Sequence, residues 1–89
     1  MRFKWDETKG KRLKRERGLG FEEIGAIFEN PYHLSQKSDE PEQWRAIGWV
    51  KDKLVSLIYE ERQDKEGIYY WFVTYWHATQ AETELYNEG

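Results

Sequence analysis

The stretch Ile68–His77 reads IYYWFVTYWH and is richer in β-forming residues than any other part of the chain. Side chains alternate between the two faces of a strand, and aromatic and β-branched residues fit a pleated surface. Strict alternation predicts one face with Ile68, Tyr70, Phe72, Thr74 and Trp76, and the other with Tyr69, Trp71, Val73, Tyr75 and His77. Because it is the stretch richest in β-forming residues, we expect this strand to be central in a sheet.

Two more strands are predicted just before this one. The period-2 pattern covers Gln43–Val50 and Leu54–Tyr59, which are separated by a turn at Lys51–Lys53. Glu60–Gly67 is predicted to be a polar turn. Consecutive strands joined by short turns indicate an antiparallel β meander.

The N-terminal part predicts a short strand followed by a basic helix. Phe3-Lys4-Trp5 alternates apolar and charged residues, and Asp6 is a favourable N-cap. The helix is predicted from about Glu7 to Arg17. Gly18 ends it, because glycine adopts the left-handed conformation of a C-cap easily.

A second, amphipathic helix is predicted over Phe21–Glu29, where apolar residues recur at spacings of three and four. Asn30-Pro31 stops it, since the residue before a proline disfavours the helical conformation. Tyr32–Leu34 predicts a brief strand, and Ser35–Pro41 predicts a polar loop.

A short C-terminal helix completes the predicted architecture. Thr79 and Glu82 have capping-box spacing, and the helix is expected to end near Tyr86. The predicted fold is therefore α+β, with two N-terminal helices packed on an antiparallel meander and a short helix at the end. With 89 residues, the chain is expected to form a single domain over residues 1–89.

Composition limits the classes of protein that fit. The chain has no cysteine, which excludes disulfides, thiolate zinc sites and a cysteine nucleophile. Its N-terminus begins with charged and aromatic residues, and no apolar run approaches the roughly 20 residues of a membrane span. We expect a soluble, cytoplasmic protein.

Charge is distributed unevenly along the chain. Residues 1–20 hold eight Lys or Arg and three acidic residues, a net charge of +5, so the remainder carries −8. Such a basic segment suits a phosphate backbone or an acidic protein partner. The alternative is a solvated helix face.

The residue types favour RNA cleavage without a metal over other chemistry. The two histidines lack metal-binding spacing, no glycine-rich nucleotide loop is present, and no cofactor is expected. Cleavage needs a base, an acid and cations for the developing phosphorane charge. The predicted catalytic residues are Lys9, Arg45, Arg62 and His77, with Arg45 and Arg62 expected to approach the same end or the same face of the sheet. The alternative for His77 is an exposed strand end with no catalytic role.

Further residues are predicted to bind RNA through charge or base stacking. Cations of the first helix contribute charge, and aromatic residues of the last strand contribute ring faces. Tyr69 and Trp71 are weaker candidates for stacking. The alternative is that most of these rings are core residues. The predicted RNA-binding set is Lys11, Arg12, Arg15, Arg17, Tyr75 and Trp76.

An ordered set of short motifs resembles the BrnT family, the toxins of type II toxin-antitoxin pairs. The resemblance covers nearly the whole chain. Its motifs are the Trp-Asp-Glu at residues 5–7 with Lys9, the Gly18 and Phe-Glu-Glu of residues 18–23, the Phe-x-Asn-Pro of residues 28–31, the Ile-Gly of residues 47–48, the Tyr-x-Glu-Arg of residues 59–62, and Ala78-Thr79 with Glu82 and Tyr86.

The resemblance implies a RelE-like fold and inhibition of translation by mRNA cleavage, in contact with mRNA or the ribosome. It also implies neutralisation by a small antitoxin with a ribbon-helix-helix DNA-binding part. DNA would then be contacted only through that complex, and no membrane is involved.

This chain departs from the family pattern at several basic positions. The last strand of the family usually reads RIISAR, and Trp71 and Trp76 replace its two arginines here. Arg17 stands where the family often has histidine, and Gln43 where it often has arginine. The alternative function is therefore a catalytically degenerate binding module that acts through a protein partner.

Overall fold

A five-stranded sheet holds 49% of the residues. The computed structural model describes the whole chain, Met1–Gly89. Its elements in chain order are β1 (Arg2–Trp5), α1 (Glu7–Arg17), α2 (Phe21–Ile24), a 3₁₀ helix (Gly25–Glu29), β2 (Tyr32–Asp39), β3 (Glu42–Val50), β4 (Lys53–Asp64), β5 (Gly67–His77) and α3 (Gln80–Glu88).

The predicted architecture, RelE-like with two N-terminal helices on an antiparallel meander, is wrong. The strand order is β1-β5-β4-β3-β2, and β1 runs parallel to β5 while the other neighbours are antiparallel. The sheet is therefore mixed, with β4 in the middle instead of β5. β1 can run parallel to β5 because helices and the other strands separate the two along the chain, so no hairpin fixes their directions.

Two segments predicted to be polar turns are largely strand. Ser35–Pro41 was expected to be a loop, but β2 continues to Asp39 and pairs with β3. Glu60–Gly67 was expected to be a turn, but β4 continues to Asp64. In both cases the backbone ladder with a neighbouring strand outweighs the weak β-propensity of polar side chains, which are exposed or half-buried here.

A β-bulge in β5 changes which residues share a face. Tyr59 pairs with Phe72 and Ile58 pairs with Thr74, so Val73 has no partner in the register. Strict alternation therefore fails after Val73. Phe72 and Tyr75, which were predicted on opposite faces, are both fully buried on the side that α1 and α2 cover.

The local signals for helix ends are confirmed. The Asp6 carboxylate accepts a hydrogen bond from the Lys9 backbone N–H, and Gly18 has a φ of 90° at the end of α1. Thr79 and Glu82 form the predicted capping box of α3. None of the helices is long and apolar enough to cross a lipid bilayer.

The second predicted helix is only one α-helical turn and then tightens to 3₁₀ geometry at Gly25. A Cβ at Gly25 would lie 2.8 Å from the Phe3 ring. The glycine therefore lets this segment approach β1 closely. Phe28, at the end of the segment, packs against the core as expected.

The sheet has two unlike sides. α1, α2 and the 3₁₀ helix cover one of them, called the helix side, and form the main core with it. α3 covers part of the opposite side near β2 and β3. The rest of that opposite side, called the open face, carries Lys4, Gln43, Glu60, Arg62 and Trp71.

Candidate functional site

The four residues predicted to be catalytic lie on two sides of the sheet. The pairing registers place Arg45 of β3 and Arg62 of β4 on the same side as α3. Lys9 belongs to α1, and His77 ends β5 beside α1. The structure therefore brings the two arginines to one face and separates them from Lys9 and His77 by the sheet.

His77 contacts the end of α1 and the Tyr75 ring, and Lys9 lies near the start of α1. The His77 Nε2 lies 3.0 Å from the Arg17 carbonyl oxygen, so Nε2 carries the proton in this contact. The backbone N–H of Lys9 caps onto Asp6, and its side chain makes no ion pair. His77 is exposed, and its one hydrogen bond is to a backbone carbonyl, not to a titratable side chain.

Arg62 forms a three-part contact on the open face. Its Nη2 and Nε donate to one oxygen of Glu60 at 2.7 and 3.0 Å, and its guanidinium lies 4.7 Å from the Trp71 ring centroid. Gln43 donates a further hydrogen bond to Glu60. The bonds from Gln43 and then Arg62 lower the pKa of Glu60 despite partial burial. Arg62 is thus neutralised by a carboxylate and stacked on an indole.

Arg45 is also paired, through a buried carboxylate of α3. Its Nη1 lies 3.2 Å from Glu82 Oε2, and its Nε donates to the Ser35 hydroxyl. The other Glu82 oxygen accepts from the Trp76 indole at 2.9 Å and from the Thr79 backbone at 3.0 Å. Burial acts to raise the pKa of Glu82, but these hydrogen bonds outweigh it and the pKa is lowered.

The predicted RNA-binding cations lie on α1, away from the open face. Lys11, Arg12 and Arg15 are exposed, and Arg12 makes only a loose 3.9 Å contact with Glu16. Arg17 is half-buried and donates to the Tyr75 carbonyl oxygen. Three cations of α1 therefore remain accessible to an anionic partner.

The two predicted stacking residues have structural contacts. Tyr75 is fully buried, and its hydroxyl both donates to the Leu19 carbonyl at 2.7 Å and accepts from the Leu19 N–H at 3.0 Å. Tyr75 therefore presents no ring face to a base. Trp76 is half-buried and holds Glu82 through its indole nitrogen.

The sequence did not predict a second cation–π contact on the open face. Lys4 Nζ lies 4.4 Å from the Tyr69 ring centroid. Hydrogen bonds from Arg2 and then Lys4 hold the pKa of Asp64 well below its usual range. The alternation of charged and apolar residues in β1 was the available signal, because it places Arg2 and Lys4 on the side away from Phe3.

No three side chains of His, Asp or Glu come together in a way that could hold a metal ion. The open face presents paired arginines, aromatic rings and carboxylates, which suit binding of a polar or charged partner. Neither a protein-family model nor a curated protein matches the chain in sequence.

Proposed function

We propose that the chain is the toxin-type component of a type II toxin-antitoxin pair, of the BrnT type, and that it acts by binding a protein partner on the open face. The motif order along the sequence supports the family. The arrangement of side chains on the open face supports the mode of action.

One observation carries the proposal. The bulge at Val73 brings Trp71 and Trp76, five positions apart, to the same side of the sheet as Arg45 and Arg62. Those tryptophans stand where the resemblance leads us to expect arginines. Gln43, the third changed position on the sheet, contacts Glu60 on the same side. The changed and retained positions of the sheet therefore fall on one surface, whereas Arg17 and Lys9 lie on α1 across the sheet.

Binding fits this surface better than cleavage. The two arginines are neutralised by Glu60 and Glu82, and His77, the histidine predicted to be catalytic, lies across the sheet. A developing phosphorane charge would have to compete with these carboxylates. A protein partner instead meets an indole stacked with a guanidinium, and tryptophan and arginine dominate the binding energy of many interfaces.

The second candidate is metal-independent mRNA cleavage. The observation in its favour is that Arg45 and Arg62 share a face with Trp71 and Tyr69, whose rings could stack bases. Both functions predict that substitutions on the open face reduce activity. The two candidates are therefore distinguished by whether cellular RNA is cleaved.

The test is expression of the chain in a bacterial host, alone and together with the protein encoded by the gene next to its own. We expect a stable complex with a small ribbon-helix-helix protein, and we expect Trp71→Ala and Arg62→Ala each to weaken it by about tenfold or more. Lys53→Ala is the matched control, since Lys53 is exposed and makes no ion pair.

RNA sequencing of the same cultures decides between the candidates. Intact transcripts during expression favour the binding module. Cleaved transcripts that become intact with Arg62→Ala, at unchanged melting temperature, favour the ribonuclease. If the neighbouring product has no measurable affinity for the chain, the toxin-antitoxin proposal fails.

A further inference from the structure

The helix side of the sheet has an uncovered margin next to β2. The Phe28 ring lies 5.2 to 5.4 Å from three tyrosine rings, which belong to β2, β4 and β5. Leu34 is 47% exposed and Tyr32 is 39% exposed, which makes them two of the most exposed large apolar side chains in the molecule. This aromatic margin consists of the exposed Tyr32 and Leu34 and the half-buried Phe28, Trp44 and Tyr70, packed over the buried Tyr59.

Three carboxylates border the aromatic margin in one row. Asp39 pairs in register with Glu42, and Glu61 lies two residues beyond the Tyr59 that pairs with Trp44, so all three project to the helix side. None of them has a Lys or Arg partner in the structure. Like charges on neighbouring strands destabilise a sheet, and a cationic partner would relieve that repulsion.

The same region contains the free edge of the sheet. β2 is an edge strand, and its register with β3 is regular from Tyr32 to Gln36 before it shifts between Gln36 and Ser38. The outer backbone groups of these five residues have no strand beside them. A regular edge next to exposed apolar side chains is the geometry on which an added strand pairs.

We propose that the Tyr32–Gln36 edge receives an extended segment of a partner protein. Alternate apolar side chains of that segment would pack beside Tyr32 and Leu34, and a Lys or Arg at its end would face Asp39 and Glu42. This site is on the other side of the sheet from the open face, so it is independent of the proposed function.

A second copy of the chain fits this edge poorly. An antiparallel pairing of two β2 strands about Leu34 would bring no Lys or Arg to either carboxylate row, because the residues just before Tyr32 are Phe28-Glu29-Asn30-Pro31. The basic helix α1 has no exposed apolar side chain with which to cover the aromatic margin, because its only large apolar residue, Leu13, is buried. Charge complementarity therefore favours a separate, basic partner.

The probe is a dye-labelled peptide of about nine residues, a length suited to one strand. It alternates valine and threonine in the middle and carries two lysines at each end. We expect it to bind at low salt at least about tenfold more tightly than the same peptide with glutamates at its ends. N-methylation of its valines should abolish binding, because it removes the donors of the added strand.

Substitutions in the full chain locate the site. We expect Leu34→Ser to weaken peptide binding by about tenfold. We expect a similar loss when the carboxylate row is neutralised in the triple variant Asp39→Asn, Glu42→Gln and Glu61→Gln. Circular dichroism checks that each variant remains folded.

The matched control changes net charge equally at three exposed carboxylates elsewhere, in the triple variant Glu22→Gln, Asp52→Asn and Glu88→Gln. Equal losses in the two triple variants would overturn the proposal, because they would show attraction to net charge alone. Unchanged binding of the N-methylated peptide would also overturn it. So would self-association in sedimentation that Leu34→Ser abolishes, since the edge would then be occupied by a second copy. Binding of the antitoxin is tested separately with Trp71→Ala, which changes the open face and leaves the β2 edge intact. One proposal can therefore fail while the other holds.

Discussion

Replacing Glu82 tests the contact that holds α3 on the sheet. Glu82 is only 5% exposed, and its two oxygens accept from Trp76, Thr79 and Arg45. In Glu82→Gln, the amide oxygen can still face the indole and the backbone, but the amide NH₂ then faces the Arg45 guanidinium. Two donors oppose each other, and the half-buried guanidinium of Arg45 keeps only the Ser35 hydroxyl as a protein partner.

The expected loss of unfolding free energy follows from this geometry. Breaking a fully buried ion pair costs about 3 to 5 kcal/mol, but the Arg45 side chain is 23% exposed and is partly rehydrated. We therefore expect Glu82→Gln to lower the free energy of unfolding by about 2 kcal/mol. Chemical denaturation monitored by tryptophan fluorescence measures it, because Trp76 reports directly on the contact. Thermal unfolding should shift down by about 8 to 16 °C.

The pH dependence gives a second readout. The folded-state pKa of Glu82 is lowered, so its contribution to stability is present above the pKa of the unfolded chain and is lost as pH falls through the folded value. The difference between wild type and Glu82→Gln should therefore shrink under acid conditions. Glu84→Gln is the control on the same helix, and we expect a change within about 0.5 kcal/mol because Glu84 is exposed. A loss for Glu82→Gln as small as that of the control would refute the reasoning.

Three further substitutions probe the core and its caps by chemical denaturation. Gly25→Ala should cost about 1 to 3 kcal/mol, because the new Cβ meets the Phe3 ring at 2.8 Å; a neutral result would show that β1 moves freely. Tyr75→Phe should cost about 2 to 4 kcal/mol, because it leaves the buried N–H and C=O of Leu19 without partners; a loss below about 0.5 kcal/mol would contradict this. Glu23 has a pKa of about 2, lowered chiefly by a backbone hydrogen bond. The free energy of unfolding lost in Glu23→Gln should therefore be largest at neutral pH and should disappear as pH falls from about 4.5 to about 2. A loss that does not change over that range would argue against the lowered pKa.

The candidate site was only partly accessible from sequence. Arg45 was predicted on one strand and Arg62 in the turn after the next strand, and the structure places both on one face of the sheet. Their carboxylate partners, Glu82 and Glu60, were not assigned to them. Glu82 is far from Arg45 along the chain, and no local pattern predicts which long-range charges meet.

Sequence by itself determined the features whose causes lie within a few residues. The start of α1 follows from the Asp6 carboxylate, its end from Gly18, and the start of α3 from the hydrogen bonds between Thr79 and Glu82. The cores of β3, β4 and β5 follow from runs of β-forming residues. Each signal acts between near neighbours, so the surrounding fold hardly alters it.

Only the tertiary structure decided the features that depend on distant pairing. The parallel docking of β1 on β5, the extension of β2 and β4 through polar residues, and the bulge at Val73 all follow from backbone ladders between separate segments. The bulge then decides that Trp71 and Trp76 share one face while Phe72 and Tyr75 share the other. A one-residue offset reverses every later side chain in a strand, and the alternation of the sequence alone does not reveal where that offset occurs.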